Sequence, residues 1–149
     1  MNCGGNLVGK SLFSAGLVAA ELLCAGAARA DAVYTPGQTV HGHAYDYKVN
    51  RVWWQGPSQL GVDVTVTGTM AQARISPFLL VNGQGRKVRQ ANNPAGQGFV
   101  NAVGAPLSVV PGQQLRANVF FAVGPGMQWD MYDFWSTLEN SVPRVAVVR

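Results

Sequence analysis

Histidine is the first place to look for chemistry at neutral pH, and the chain has two, His41 and His43. Two residues apart on an extended segment they share a face about 7 Å apart at the backbone, near enough to hold one metal with Asp46 or Asp31. Zinc, however, takes three or four protein ligands. No third histidine exists, and the only cysteines, Cys3 and Cys24, stand near the N-terminus. The pair therefore reads as solvent-exposed strand histidines, and no metal or other cofactor is expected. A serine nucleophile would need a neighbouring base, usually histidine, and no Gly-x-Ser-x-Gly elbow is present. Asp130 and Asp133 are the nearest carboxylate pair for glycoside hydrolysis, but three residues apart in a short segment is weak support for the separation that chemistry needs. Gly83 and Gly85 sit between strand patterns rather than ahead of a helix, so they lack the helix N-terminus that cradles phosphate. The residue set points away from an enzyme.

Charge and aromatic residues remain. The formal net charge is +4 over 149 residues, and the one cluster is Arg86, Lys87 and Arg89. Nucleic-acid binders usually carry a dense basic stripe, so the cluster reads as a solvated hairpin and no nucleic-acid partner is expected. Trp53 and Trp54 are adjacent at the end of a strand pattern, so they point to opposite faces and one is exposed near Gln55, Gly56 and Pro57. Met127, Trp129, Met131, Tyr132, Phe134 and Trp135 crowd a second stretch. One reading is a structural cap on the end of the fold. The other is a partner-binding patch, since Trp, Tyr and Met are enriched at interface centres and adaptable surfaces. Trp53, Trp54, Trp129, Tyr132 and Trp135 are the candidate binding residues.

The elements that must position these groups are strands. Tyr45, Tyr47 and Val49 alternate with Asp46, Lys48 and Asn50, and Val62, Val64 and Val66 alternate with Asp63, Thr65 and Thr67, so each run has one apolar face. Pro77 to Val81 forms a third apolar run, Asn82-Gly83-Gln84-Gly85 a turn, and Arg86 to Gln90 the return strand. After a loop from Ala91 to Gly98, Pro106 to Val110 is extended and Pro111-Gly112 turns. Leu115, Ala117, Val119, Phe121 and Val123 then line one face of a long strand whose other face carries Arg116 and Asn118. Gly124-Pro125-Gly126 ends it, and Arg144 to Val148 is the last strand. Turn signals every ~8–12 residues and no long amphipathic helix predict an all-β fold, two antiparallel sheets packed as a β-sandwich of seven or eight strands.

Residues 1 to 30 read differently. Lys10 precedes the uncharged run from Ser11 to Ala20, which Glu21 interrupts, too short to cross ~30 Å of hydrocarbon. Ala28-Arg29-Ala30 has the small-x-small arrangement of a signal-peptidase site, so residues 1 to 30 are expected to be a cleaved signal peptide and 31 to 149 the mature domain. A lipoprotein cysteine at Cys24 is a weaker alternative because Glu21-Leu22-Leu23 precedes it, and an uncleaved anchor is weaker because Glu21 is costly in a membrane. Both cysteines leave with the leader, which suits an oxidising compartment.

The order Val62-Asp63-Val64-Thr65-Val66-Thr67, then Phe78-Leu79-Leu80-Val81-Asn82-Gly83-Gln84-Gly85-Arg86, then Val110-Pro111-Gly112-Gln113-Gln114 and Val119-Phe120-Phe121-Ala122-Val123 resembles the small secreted immunoprotective antigens of mycobacteria. These are similar in turn to a wider bacterial group of telokin-like extracellular domains. The resemblance spans most of the mature chain and departs from Trp129 to Trp135 and from Val142 to Arg149. It implies an immunoglobulin-like sandwich in a secreted protein, with no catalytic residues to carry over.

The expected function is that of a secreted, non-enzymatic binding or interaction protein, with an extracellular or cell-envelope protein as partner. No membrane span is expected after cleavage, and the chain is expected to be a monomer or weak oligomer. The alternative is an extracytoplasmic carrier with an apolar ligand or lipid between the sheets; a purely structural secreted antigen also fits these residues.

Overall fold

Period-2 alternation of valine and aromatic residues with polar ones makes strands that bury one face, and this chain uses it repeatedly. The computed structural model describes residues 32–91, 98–138 and 141–149, all within the compact unit Asp31–Arg149. The expected leader, residues 1 to 30 with Cys3 and Cys24, lies outside the described residues, as do Asp31 and most of the expected loop from Ala91 to Gly98.

Eleven strands are described: β1 Val33–Tyr34, β2 Thr39–His41, β3 Tyr45–Trp54, β4 Leu60–Gly68, β5 Ala73–Arg74, β6 Phe78–Val81, β7 Lys87–Arg89, β8 Ser108–Val109, β9 Gln114–Phe121, β10 Trp129–Asp133 and β11 Arg144–Val148. A 3-10 helix, Phe134–Leu138, follows β10. Three of the strands, β1, β5 and β8, are two-residue pairings; β3, β4, β6, β7, β8, β9 and β11 fall on the runs expected as strands, while β1, β2, β5 and β10 do not. One sheet runs β2-β3-β4-β9, the second runs β1-β11-β10-β6-β7, and β5 pairs with β8. The fold is an immunoglobulin-like β-sandwich.

Between the sheets lie Tyr45, Tyr47, Val49, Val62, Val64 and Val66 from the first, with Phe78, Leu80, Met131 and Val145 from the second, all at most 1 % exposed. Tyr47 and Phe78 meet edge to face across the gap, ring centroids 5.3 Å apart, a geometry that adds about 0.5–1.5 kcal/mol beyond the area buried. The β6–β7 hairpin forms as expected. Asn82 Oδ1 accepts from the amides of Gln84 and Arg86, and Gly85 takes φ 80°, which a side chain would strain.

Two expectations are corrected. The sandwich is not wholly antiparallel: β1 pairs with β11 in parallel. The aromatic segment, read from sequence as an end cap or a binding patch, supplies from Trp129 to Asp133 strand β10, hydrogen-bonded between β11 and β6.

Candidate functional site

The outer face of the four-stranded sheet gathers most of the functional-looking side chains, and a β-bulge arranges them. The β3–β4 register steps between Val49 and Arg51, leaving Asn50 as the extra residue. A bulge of this kind turns two successive side chains to one face, so Asn50 and Arg51 both look outward while Tyr47 and Val49 stay in the core. Cross-strand pairing then sets rows across β3, β4 and β9: Trp53, Gly61 and Phe120; Arg51, Asp63 and Asn118; Lys48, Thr65 and Arg116.

Asp63 is the centre of the middle row. Asp63 is 7 % exposed but lies just beneath the surface. Arg116 grips it with two nitrogens, Nε donating at 2.9 Å to Oδ1 and Nη2 at 2.5 Å to Oδ2, the planar bidentate geometry that makes an arginine–carboxylate pair specific. Asn50 Nδ2 donates to Asp63 Oδ1 at 3.2 Å and to Thr65 Oγ1 at 2.8 Å. The hydrogen bonds from Arg116 hold the Asp63 carboxyl below the usual range, against the opposing effect of burial, with Asn50 assisting. It is ionised at neutral pH, and Arg116 is fixed in place by it.

The next row is aromatic. Gly61 is where the Trp53 ring rests: a Cβ there would stand 2.5 Å from ring carbons of Trp53. Phe120 meets Trp53 edge to face at 5.9 Å, and the Arg51 guanidinium lies 4.6 Å from the centroid of the Trp53 ring, within cation–π range. The Arg51 guanidinium makes no hydrogen bond among the described residues, so its five donors remain open to a ligand. An open groove of about 610 Å³ runs between these groups, lined by Asn50, Arg51, Asp63, Arg116, Ala117 and Asn118. With three cations, Lys48, Arg51 and Arg116, against two carboxylates, Asp63 and the His41-paired Asp46, the face favours an anion.

The candidate aromatic residues are not brought together. Trp53 is half-buried in the row above and Trp54, beside it, is 37 % exposed. Trp129 and Tyr132 belong to β10 in the other sheet and are 1 % and 4 % exposed, so they offer almost no contact area; the Arg86 guanidinium lies 5.7 Å from the centroid of the Trp129 ring. Trp135, in the 3-10 helix, is half-buried, its indole Nε1 donating to the Arg74 carbonyl at 2.9 Å. Asn50, Arg51, Asp63, Arg116 and Phe120 were not singled out by sequence. The available signal was Asp63 itself, an aspartate in the middle of a valine–threonine strand, where aspartate is disfavoured.

The histidines go to different carboxylates. His41 Nδ1 lies 3.1 Å from Asp46 Oδ2 at the surface, whereas His43, also exposed, lies near enough to Asp133 to favour its charged form. The two aspartates of β10 diverge as well. Asp130 pairs with Arg149 at 2.7 Å. Asp133 is fully buried, accepts a hydrogen bond from Ser136, and leaves Oδ2 without a hydrogen-bond partner among the described residues. Burial raises its pKa, only partly offset by Ser136. Beside it Tyr45 Oη and Ser76 Oγ are 2.9 Å apart, a buried polar knot at one end of the core. Among the described residues no group of three or more His, Cys, Asp or Glu side chains is placed to hold a metal ion, and no helix is long and apolar enough to cross a membrane.

No protein-family model and no curated protein sequence matches the chain. Solved structures do. A secreted protein from Mycobacterium tuberculosis, MPT63, is similar over 82 % of this chain and 100 % of its own, with TM-score 0.54 and 13 % identity. A putative lipoprotein, ycdA, from Bacillus subtilis is similar over 73 % of this chain at TM-score 0.52 and 14 % identity, and this chain spans 38 % of that one. A functionally unknown protein from Listeria monocytogenes is similar over 76 % of this chain and 81 % of its own at TM-score 0.49 and 11 % identity. At such identities the likeness to the first two is one of fold: the chain shares the sandwich of a secreted mycobacterial protein, a distant relationship that does not make it a member of that antigen family.

Proposed function

We propose that this protein is exported and acts as a non-enzymatic binding module whose contact surface is the outer face of the four-stranded sheet. The observation that carries the reading is the row pattern on that face: Arg51 spread over Trp53 with its donors open, beside an Arg116 already oriented by Asp63. Tryptophan and arginine are the residues most enriched at interface hot spots, and side chains held before binding lose less freedom on binding. Export is supported by the leader-like residues 1 to 30 and by the secreted and lipoprotein descriptions of the structural neighbours. Of the candidate aromatic residues, Trp53 belongs to this surface; Trp54, paired with buried Leu60, turns to the opposite face of the sheet, and Trp135 lies apart. The carrier alternative asks for a chamber where Tyr45, Tyr47, Phe78 and Met131 fill the space between the sheets.

The test is capture from envelope and culture extracts by the wild type and by an Arg51→Ala, Trp53→Ala variant with unchanged circular dichroism. The expected result is a protein retained by the first and lost by the second. Equal retention by both would move the contact surface elsewhere, and a co-purified lipid with no protein would favour the carrier.

A further inference from the structure

Sheet edges are exposed rows of unpaired N–H and C=O groups, and proteins commonly keep them short or charged. Three of the four edges of the main sheets follow that practice: β1 has two residues, β2 three and β7 three, the last carrying Lys87 and Arg89. The fourth, β9, has eight residues.

Backbone direction on β9 is fixed by its neighbours. The Phe120 carbonyl accepts from the Ala91 amide at 2.7 Å, away from β4, while the Gln113 carbonyl accepts from Gly68 at the end of β4. In an antiparallel strand, groups of one parity point to one side, so the N–H and C=O of Arg116 and Asn118 face outward from the edge. They have no backbone partner among the described residues. Arg116 does not guard the edge, because its guanidinium is turned inward over β4 onto Asp63. On the opposite face of the same strand Leu115 and Ala117 are only half-buried, although their β4 partners Val66 and Val64 are 0 % exposed. The strand is thus unfinished on three counts: backbone, outer face and inner face.

Resting on the outer face as the contact surface, we infer that β9 accepts an extended segment of a partner protein as a fifth strand, with acidic and apolar side chains alternating. Acidic residues meet Arg116 on the outer face and apolar ones cover Leu115 and Ala117 on the inner. Main-chain hydrogen bonds supply affinity and the alternating side chains specificity, as in other strand additions. Acidic residues are selected because Lys48, Arg51 and Arg116 outnumber the face's carboxylates, Asp63, held by Arg116, and Asp46, paired with His41.

The experiment is selection of a displayed random octapeptide library on the purified protein. Enriched peptides are expected to alternate Asp or Glu with apolar residues. An Arg116→Glu variant should instead enrich Lys or Arg at the acidic positions. Hydrogen exchange at the Arg116 and Asn118 amides should slow at least tenfold with a selected peptide and not with its copy N-methylated at the edge-facing nitrogens. Peptides without acidic alternation, no enrichment, or unprotected amides would overturn strand addition. So would sedimentation showing that the protein alone dimerises and already protects these amides, since a second copy would then occupy the edge. If strand addition fails while the Arg51→Ala, Trp53→Ala variant still loses its partner, only this inference falls; if that variant retains it, both fall.

Discussion

At the scale of single residues, two positions carry the most informative contacts. Gly61 is required because the Trp53 ring occupies the space a side chain would take. Gly61→Val should tilt Trp53 off the sheet, separate it from Phe120 and destabilise the fold by about 1–3 kcal/mol; urea titration followed by tryptophan fluorescence measures both. An unshifted spectrum and unchanged midpoint would show that the ring does not depend on that gap. Asp133 works in the opposite sense to Asp63. Asp63 has its pKa depressed, so its contribution is present above the ordinary carboxylate value and lost as pH falls through the folded pKa. Burial raises the pKa of Asp133, so the folded state holds the proton more tightly and stability is lost as pH rises from about 3.9 through the folded pKa. Asp133→Asn keeps an acceptor for Ser136 and removes the charge. It is expected to be at least as stable as the parent at neutral pH, with a shallower decline across that window. A pH series of urea midpoints would contradict this if both proteins declined in parallel.

At the scale of elements, the strands legible in the sequence were those whose alternation is unbroken: β3, β4, the β6–β7 hairpin, β9 and β11. What hid β10 was its own composition. Asp130 and Asp133 interrupt the apolar pattern, and only the fold shows that one meets Arg149 while the other is buried against Ser136. Of the two-residue strands, β8 lies within the extended run expected from Pro106 to Val110, whereas β1 and β5 are too short to carry a period, and the parallel β1–β11 pairing joins distant parts of the chain. On the candidate face, the aromatic residues were legible and their partners were not. Arg51 becomes part of the site only through a bulge, and Arg116 only through a register that places it beside Asp63. Because β10 is central rather than an end cap, Met131→Ala, between Leu80 and Val145 in the pairing register, should cost about 2–5 kcal/mol. Thermal and urea unfolding will show it; a loss under 1 kcal/mol would mean β10 is not part of the cooperative core.

At the scale of the whole molecule, a sandwich with a filled interior has its accessible chemistry on its outer faces. The two faces differ. The four-stranded sheet shows a groove of arginines, a fixed carboxylate and a tryptophan, while on the five-stranded sheet Arg144 and Arg149 flank Asp130. The most direct measurement is a hydroxyl-radical footprint of the protein with its captured partner. Trp53 and Phe120 should lose reactivity while exposed Met127 and Phe134 keep theirs. Protection of Met127 and Phe134 with Trp53 and Phe120 unchanged would contradict the assignment of the binding face.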